Sequence, residues 1–183
     1  MKWLYCNINE ISESERAHAY SLMHPSKRAR VDRLKKADAR IRSVCAHALA
    51  MRLLMREFGV TDPVIGAYDS GQPYVDGHGI FISISHSGDF VAAAASHTPV
   101  GIDIECPRDF NAHLLERVCT DDELSYVTGG EQSSRFYEIW TGKEAYFKML
   151  GTGITDLKSV NVLTLPRELY KKDGCFIHII NKC

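Results

Sequence analysis

The sequence has no C-x-x-C pair, no apolar run long enough to cross a bilayer and no surplus of positive charge, and each absence closes a class of function. Six cysteines (Cys6, Cys45, Cys106, Cys119, Cys175 and Cys183) lie scattered over 183 residues. That spacing indicates neither a zinc knuckle nor a redox dithiol, so they read as free, mostly structural thiols. Formal net charge is −1, which offers no global electrostatic reason to bind nucleic acid or an anionic membrane. Any field that holds phosphate must therefore be local. The first eight residues, MKWLYCNI, are too few and too polar for a signal peptide, and a cytoplasmic protein is expected. At 45% hydrophobic and 25% charged, the chain can bury a substantial core as one domain or two small ones.

Local signals predict a strand over 3–8 and a helix opened by the capping box Ser12 to Glu15. Pro25 suits a helix start, and a long helix over 37–58 carries Val44, Ala48, Met51, Leu54 and Met55 before Gly59 stops it. The middle is β-rich, with strands over 64–68, 80–85, 90–96 and 100–105, a turn over 69–73, and hairpin turns at Asp76-Gly77 and Gly88-Asp89. Thr120 to Glu123 is a second capping box, 134–150 an amphipathic helix, and 160–165 a strand. A turn at Lys172-Asp173-Gly174 and a strand over 175–180 close the chain. The order strand, helices, strands thus occurs twice without a sequence repeat. It predicts an α+β fold of two similar halves, 1–101 and 102–183, with a site in the crevice between them.

Two segments carry the chemistry. In Gly101-Ile102-Asp103-Ile104-Glu105, the acids are two apart in an apolar run, so a strand sends both carboxylates to one face. Taken alone, a solvated sheet edge has the same pattern. In the helix that follows, Phe136, Ile139, Trp140, Phe147 and Leu150 form one apolar arc containing Lys143, which either snorkels or serves an anion. Glu144 and Lys148, one turn apart on the edge of that arc, are an ordinary surface ion pair or the acid and base of a crevice. Three carboxylates that can converge beside lysines suit a hard divalent metal holding a phosphate ester. Ser83-Ile84-Ser85-His86-Ser87-Gly88 ends an alternating strand in small hydroxyls, a composition suited to phosphate oxygens, although a lone histidine there is more often structural. The basic stretch from Lys27 to Arg42 is either a solvated helix face or the local positive field that the net charge lacks.

Together these motifs resemble the 4′-phosphopantetheinyl transferases, in particular the surfactin-synthetase-activating type with two pseudo-symmetric halves in one chain. The matching residues are Gly101-Ile102-Asp103-Ile104-Glu105, Trp140-x-x-Lys143-Glu144-Ala145-x-x-Lys148, Ser83 to Gly88, and Gly71-Gln72-Pro73, within about 25–153. The resemblance implies transfer of the phosphopantetheine arm of coenzyme A to a serine of an acyl or peptidyl carrier protein. The other product would be adenosine 3′,5′-bisphosphate, and the carriers those of fatty-acid, polyketide or nonribosomal-peptide biosynthesis. It further implies that Asp103, Glu105 and Glu144 hold Mg²⁺, that Glu144 accepts the serine proton, and that Lys148 stabilises the pyrophosphate. Ser85, His86, Lys27 and Arg30 would hold coenzyme A phosphates, with Arg42, Ser43 and Lys143 as further contacts, and Gly71, Gln72 and Pro73 would line the adenine pocket.

Two other classes compete: a coenzyme A or nucleotide-binding module without turnover, and a Mg²⁺-dependent phosphohydrolase that needs no carrier. Segment 109–131 is expected to dock the carrier through Leu114, Leu115 and Val118. Relatives of this type continue past the last hairpin, so the C-terminal sheet is expected to be one strand short, with an open edge at 176–180 and an exposed Cys183. A monomer with a complete site is expected, since both halves lie in one chain.

Overall fold

Capping residues set the helix starts in the first part of the chain. The computed structural model describes residues 1–108 and 111–182; Asp109 and Cys183, which carry two of the expectations above, lie outside them. Strand β1 (Lys2–Asn7) leads to α1 (Glu13–Ser21), where Glu15 N–H donates to Ser12 Oγ and Ser12 N–H donates to the Glu15 carboxylate. Pro25 opens α2 (Pro25–Asp32), and α3 (Ala37–Phe58) ends where Gly59 takes a left-handed conformation. Strands β2 (Ile65–Ala67) and β3 (Pro73–Val75) pair with each other as a small ribbon, so Asp76-Gly77 is a turn outside any hairpin. Strands β4 (Phe81–Ser87) and β5 (Phe90–Ser96) form the hairpin expected at Gly88-Asp89, and β1 pairs with the other side of β5.

The second part begins with β6 (Val100–Glu105) and continues through α4 (Leu115–Val118), α5 (Asp121–Thr128) and α6 (Gln132–Leu150) to β7 (Glu168–Lys172) and β8 (Cys175–Asn181). The first sheet runs β1-β5-β4 and the second β6-β8-β7, antiparallel throughout. Helix α3 packs on the first sheet and α6 on the second. Strand β5 is alanine-rich because it is buried on both faces. Ala93 and Ala95 meet Leu49 and Leu53 in one core, while Ala92 and Ala94 join Ile102, Ile104, Ile177 and Ile179 in another. Small side chains on that strand let the two sheets approach closely.

Four expectations fail here. Residues 160–165 form a 3₁₀ turn (Val162–Thr164), because Asn161 caps it and Val162 N–H is taken by the Glu123 carboxylate; the strand is β7. Strand β8 is central, paired on both sides, so 176–180 is no open edge. Leu115 and Val118 are buried in the α4–α6 core, which leaves only Leu114 of that trio exposed. Cys106 and Cys175 are joined in a disulfide, whereas Cys6, Cys45 and Cys119 are free and buried. The bridge forms because Cys106 follows β6 directly and Cys175 opens β8, its antiparallel neighbour.

Candidate functional site

Gly101 is what brings the two motif segments together. A Cβ at Gly101 would collide with the Ala145 carbonyl and stand 2.6 Å from Met149 N, so only glycine lets α6 lie directly on β6. Asp103 and Glu105 follow on the same face of the strand, towards the helix that carries Glu144 and Lys148. Burial separates the two acids: Asp103 is only 3% exposed, whereas Glu105 is half-buried.

Of the two readings of Glu144 and Lys148, the surface ion pair along α6 gives way to an ion pair across elements. Lys148 Nζ donates to Asp103 Oδ1 at 2.6 Å and to Ser85 Oγ at 2.9 Å, and Ser85 Oγ donates to the same Oδ1 at 2.7 Å. Asp103 Oδ2 is buried with no hydrogen-bond partner among the described residues. Ser87 Oγ donates to Glu105 Oε2 at 2.9 Å, and the Trp140 side chain acts to lower the pKa of the same carboxylate. Burial first, then the charge of Asp103, raises the Glu105 pKa from its ordinary value. Burial and the charges of Asp103 and Glu105 push Glu144 up to about 7 against the opposing pull of Lys148. These three acids therefore share one negative field in a partly dry place.

A cavity of about 330 Å³ opens beside Glu144 and Lys148, lined also by Arg30, Gly71, Gln72, Pro73 and Phe147. Arg30 crosses under its floor: Nη1 donates to Asp69 O at 3.2 Å, and Gly71 leaves room for the guanidinium. A second cavity, about 380 Å³, lies on the Glu105 side between Arg42, His86, Ser87 and Trp140. Desolvation, followed by the fields of Lys148, Arg42 and Lys27, holds the His86 imidazole below its ordinary pKa, though the residue reaches solvent. Desolvation likewise lowers the ammonium of half-buried Lys27, with Arg30 adding to it. Three cations around His86 are the local positive field the composition does not reveal. Ser43, next to Arg42 on α3, is half-buried and lines neither cavity.

Lys143 does not face a cavity. It is fully buried, and its Nζ meets Glu123 Oε2 at 2.7 Å and the carbonyls of Leu157 and Val160 at 2.6 Å each. Glu123 is equally buried and accepts from Thr120 N–H and Val162 N–H. The lysine's three donors are spent inside the protein, which removes it from the phosphate contacts.

Sequence reasoning missed the partners on β4. Ser83 Oγ accepts from Ile102 N–H at 3.0 Å, and Ser87 Oγ accepts from Cys106 N–H at 3.1 Å. The signal was present as serine at every second position, which places all three hydroxyls on one face.

Among the described residues, no three His, Cys, Asp or Glu side chains are grouped closely enough to hold a metal ion as they stand. The donor chemistry nonetheless fits a hard divalent cation. All three acids offer oxygen, Asp103 Oδ2 is an orphaned buried acceptor, and the repulsion that raises Glu105 and Glu144 is what a cation relieves.

Comparison with known proteins adds an independent line. Residues 99–175 match the 4′-phosphopantetheinyl transferase superfamily. The chain is 38% identical over 87 residues to the 4′-phosphopantetheinyl transferase gsp of Aneurinibacillus migulanus, a stretch covering 46% of this chain and 36% of the relative. It is 27% identical over 154 residues to the 4′-phosphopantetheinyl transferase Sfp of Bacillus subtilis (strain 168), covering 79% of this chain and 67% of the relative. It is also 38% identical over 115 residues to a putative 4′-phosphopantetheinyl transferase of Haemophilus influenzae, covering 58% and 48%.

Proposed function

The chain belongs with the Sfp-type 4′-phosphopantetheinyl transferases, and on that premise we propose that it transfers the phosphopantetheine arm of coenzyme A to a carrier protein. The acceptor is a serine hydroxyl of an acyl or peptidyl carrier protein, and the leaving group is adenosine 3′,5′-bisphosphate. One observation carries the reading: Glu144 and Lys148 line one cavity together with Arg30 and Gly71 to Pro73, and Lys148 is paired there with Asp103.

In this reading the nucleotide end of coenzyme A enters that cavity, its adenine against Gly71, Gln72 and Pro73. Its phosphates face the cations Lys27, Arg30 and Arg42, with the His86 imidazole as a hydrogen-bonding partner and Ser43 as a further contact. The serine oxygen bonds to the phosphorus nearer the pantetheine, the anhydride P–O bond breaks, and the bridging oxygen leaves on the adenosine bisphosphate. Glu144, at the cavity beside Lys148, is the carboxylate placed to take the serine proton. Lys148 holds the pyrophosphate, and Asp103 with Ser85 fixes the ammonium that does so. Mg²⁺ held by Asp103, Glu105 and Glu144 would neutralise charge on the phosphoryl oxygens as the anhydride breaks.

The architecture proposed for this chemistry is two pseudo-symmetric halves, 1–101 and 102–183, with the site in the crevice between them. Its support is the first, last, middle strand order of both sheets and the one long helix on each. A cytoplasmic monomer completes the reading; no helix among the described residues is long and apolar enough to cross a membrane. In that reducing compartment the Cys106–Cys175 bridge has to resist thiol exchange, and the burial of Cys175 favours this.

Incubation with coenzyme A, Mg²⁺ and an apo carrier protein, followed by weighing the carrier, tests the reading. Gain of one phosphopantetheine on serine is expected. Coenzyme A consumed with no gain in carrier mass replaces it with a hydrolase, and coenzyme A bound but not consumed replaces it with a binding module.

A further inference from the structure

We infer that Ser87 is a positioning residue that orients the Glu105 carboxylate towards a divalent cation, an assignment that rests on the function proposed above. The hydroxyl is buried, 4% exposed, between two groups that follow one another in the chain. It donates to Glu105 Oε2 at 2.9 Å and accepts from Cys106 N–H at 3.1 Å. A hydroxyl has one proton, so once the backbone N–H occupies a lone pair, that proton is committed to the carboxylate. The other end of the bridge is also fixed. Cys106 is bonded covalently to Cys175 on β8, and its sulfur contacts Ser87 O at 3.4 Å.

Glu105 would otherwise be the least constrained of the three acids. Asp103 is pinned by Ser85 and Lys148, whereas Glu105 has a longer side chain, is half-buried, and is held by Ser87. With Oε2 committed to Ser87, the rotation about its last bond is set and Oε1 is presented in a fixed direction. Groups that orient a ligand without touching the metal typically change affinity by about 10- to 100-fold when removed.

Ser83 is a built-in control. It lies on the same face of β4, is equally buried, and bonds the same strand, but to the backbone N–H of Ile102 and to no carboxylate. Removing either hydroxyl deprives a backbone N–H of its acceptor and loosens the contact of β4 with β6. Removing Ser87 alone also frees an acid.

The test is Mn²⁺ binding to the whole purified protein, without coenzyme A or carrier, followed by water-proton relaxation, with KM and kcat measured in parallel. Ser87→Ala is expected to weaken Mn²⁺ binding about 10-fold or more, to lower kcat at limiting Mg²⁺ with recovery at high Mg²⁺, and to leave KM for coenzyme A within about two-fold. Ser83→Ala is expected to lower thermal stability comparably and to bind Mn²⁺ like the unaltered protein. Ser87→Thr, which keeps the hydroxyl, is expected to restore most of the affinity. Unchanged Mn²⁺ affinity in Ser87→Ala, or equal loss in Ser83→Ala, overturns the positioning role while leaving the transferase reading intact. Failure of the unaltered protein to bind any Mn²⁺ overturns the metal site itself, and the positioning role with it.

Discussion

The charged residues of the Trp140 to Lys148 motif divide into two jobs, and the division is decided by which side of α6 each occupies. Lys148 reaches Asp103 and Ser85 at the cavity, so Lys148→Ala is expected to lower kcat at least about 100-fold with little change in KM for coenzyme A, as loss of a contact that strengthens in the transition state does. Steady-state kinetics with a carrier protein check it, and a rise in KM at constant kcat would assign Lys148 to ground-state binding. Lys143, one turn away, has a different outcome. Lys143→Met leaves the Glu123 carboxylate buried and unpaired, with the Leu157 and Val160 carbonyls orphaned. A loss of about 3–5 kcal/mol in urea unfolding is expected, with coenzyme A affinity unchanged under native conditions. Weakened coenzyme A binding at full stability would return Lys143 to the phosphate contacts.

At the scale of elements, the site exists because one helix lies against one strand with nothing between them. Gly101→Ala puts a methyl into the Ala145 carbonyl and against Met149 N, so either β6 or α6 must shift. Since the helix carries Glu144 and Lys148 and the strand carries Asp103 and Glu105, the shift opens the distance between partners that now meet at 2.6 Å. Loss of most activity, with a fall in thermal midpoint, is expected of Gly101→Ala, and activity assays beside a melting curve check it. Gly142 is a useful contrast: the nearest atoms to a Cβ there are Val162 side-chain atoms at 3.3 Å, which a shift of a few tenths of an ångström relieves. Gly142→Ala should keep far more activity than Gly101→Ala.

Over the whole molecule, stability is tied to two histidines that folding keeps neutral. His47 is fully buried on α3 with neither ring nitrogen hydrogen-bonded among the described residues, and burial, with a smaller contribution from Lys27, lowers its pKa to about 3. Burial, then the charge of Arg167, lowers His178 to about 4; its Nδ1 meets Thr141 Oγ1 at 3.0 Å. Both pKa values lie below that of the unfolded chain, so the unfolded state binds more protons as pH falls. Their stabilising effect is complete above about pH 6.5 and is lost on acidification, at about 1.4 kcal/mol per pH unit for each histidine, until the folded values are reached. Thermal midpoints between pH 7.5 and 5 should fall accordingly, and His47→Leu should flatten that slope by about half. An unchanged slope would place the acid sensitivity elsewhere.

What the sequence determined by itself was everything written in short-range pattern. The capping boxes at Ser12 and Thr120, the glycine stop at Gly59 and the alternation that puts Asp103 and Glu105 on one face depend on neighbours within a few residues, and the structure carries them as read. Tertiary structure decided the partners. Lys143 and Lys148 are both lysines of one helix, and only the packing of α5 beneath one and β6 beneath the other separates an ion pair in the core from a charge at the cavity. Residues 160–165 have strand composition, yet the Glu123 carboxylate holds Val162 N–H and turns the chain, so pairing with β8 falls to 168–172. Cys106 and Cys175 are far apart in sequence and form a bridge only because β6 and β8 are neighbours in the sheet. Side chains at a distance supply these energies, and no local window of sequence contains them.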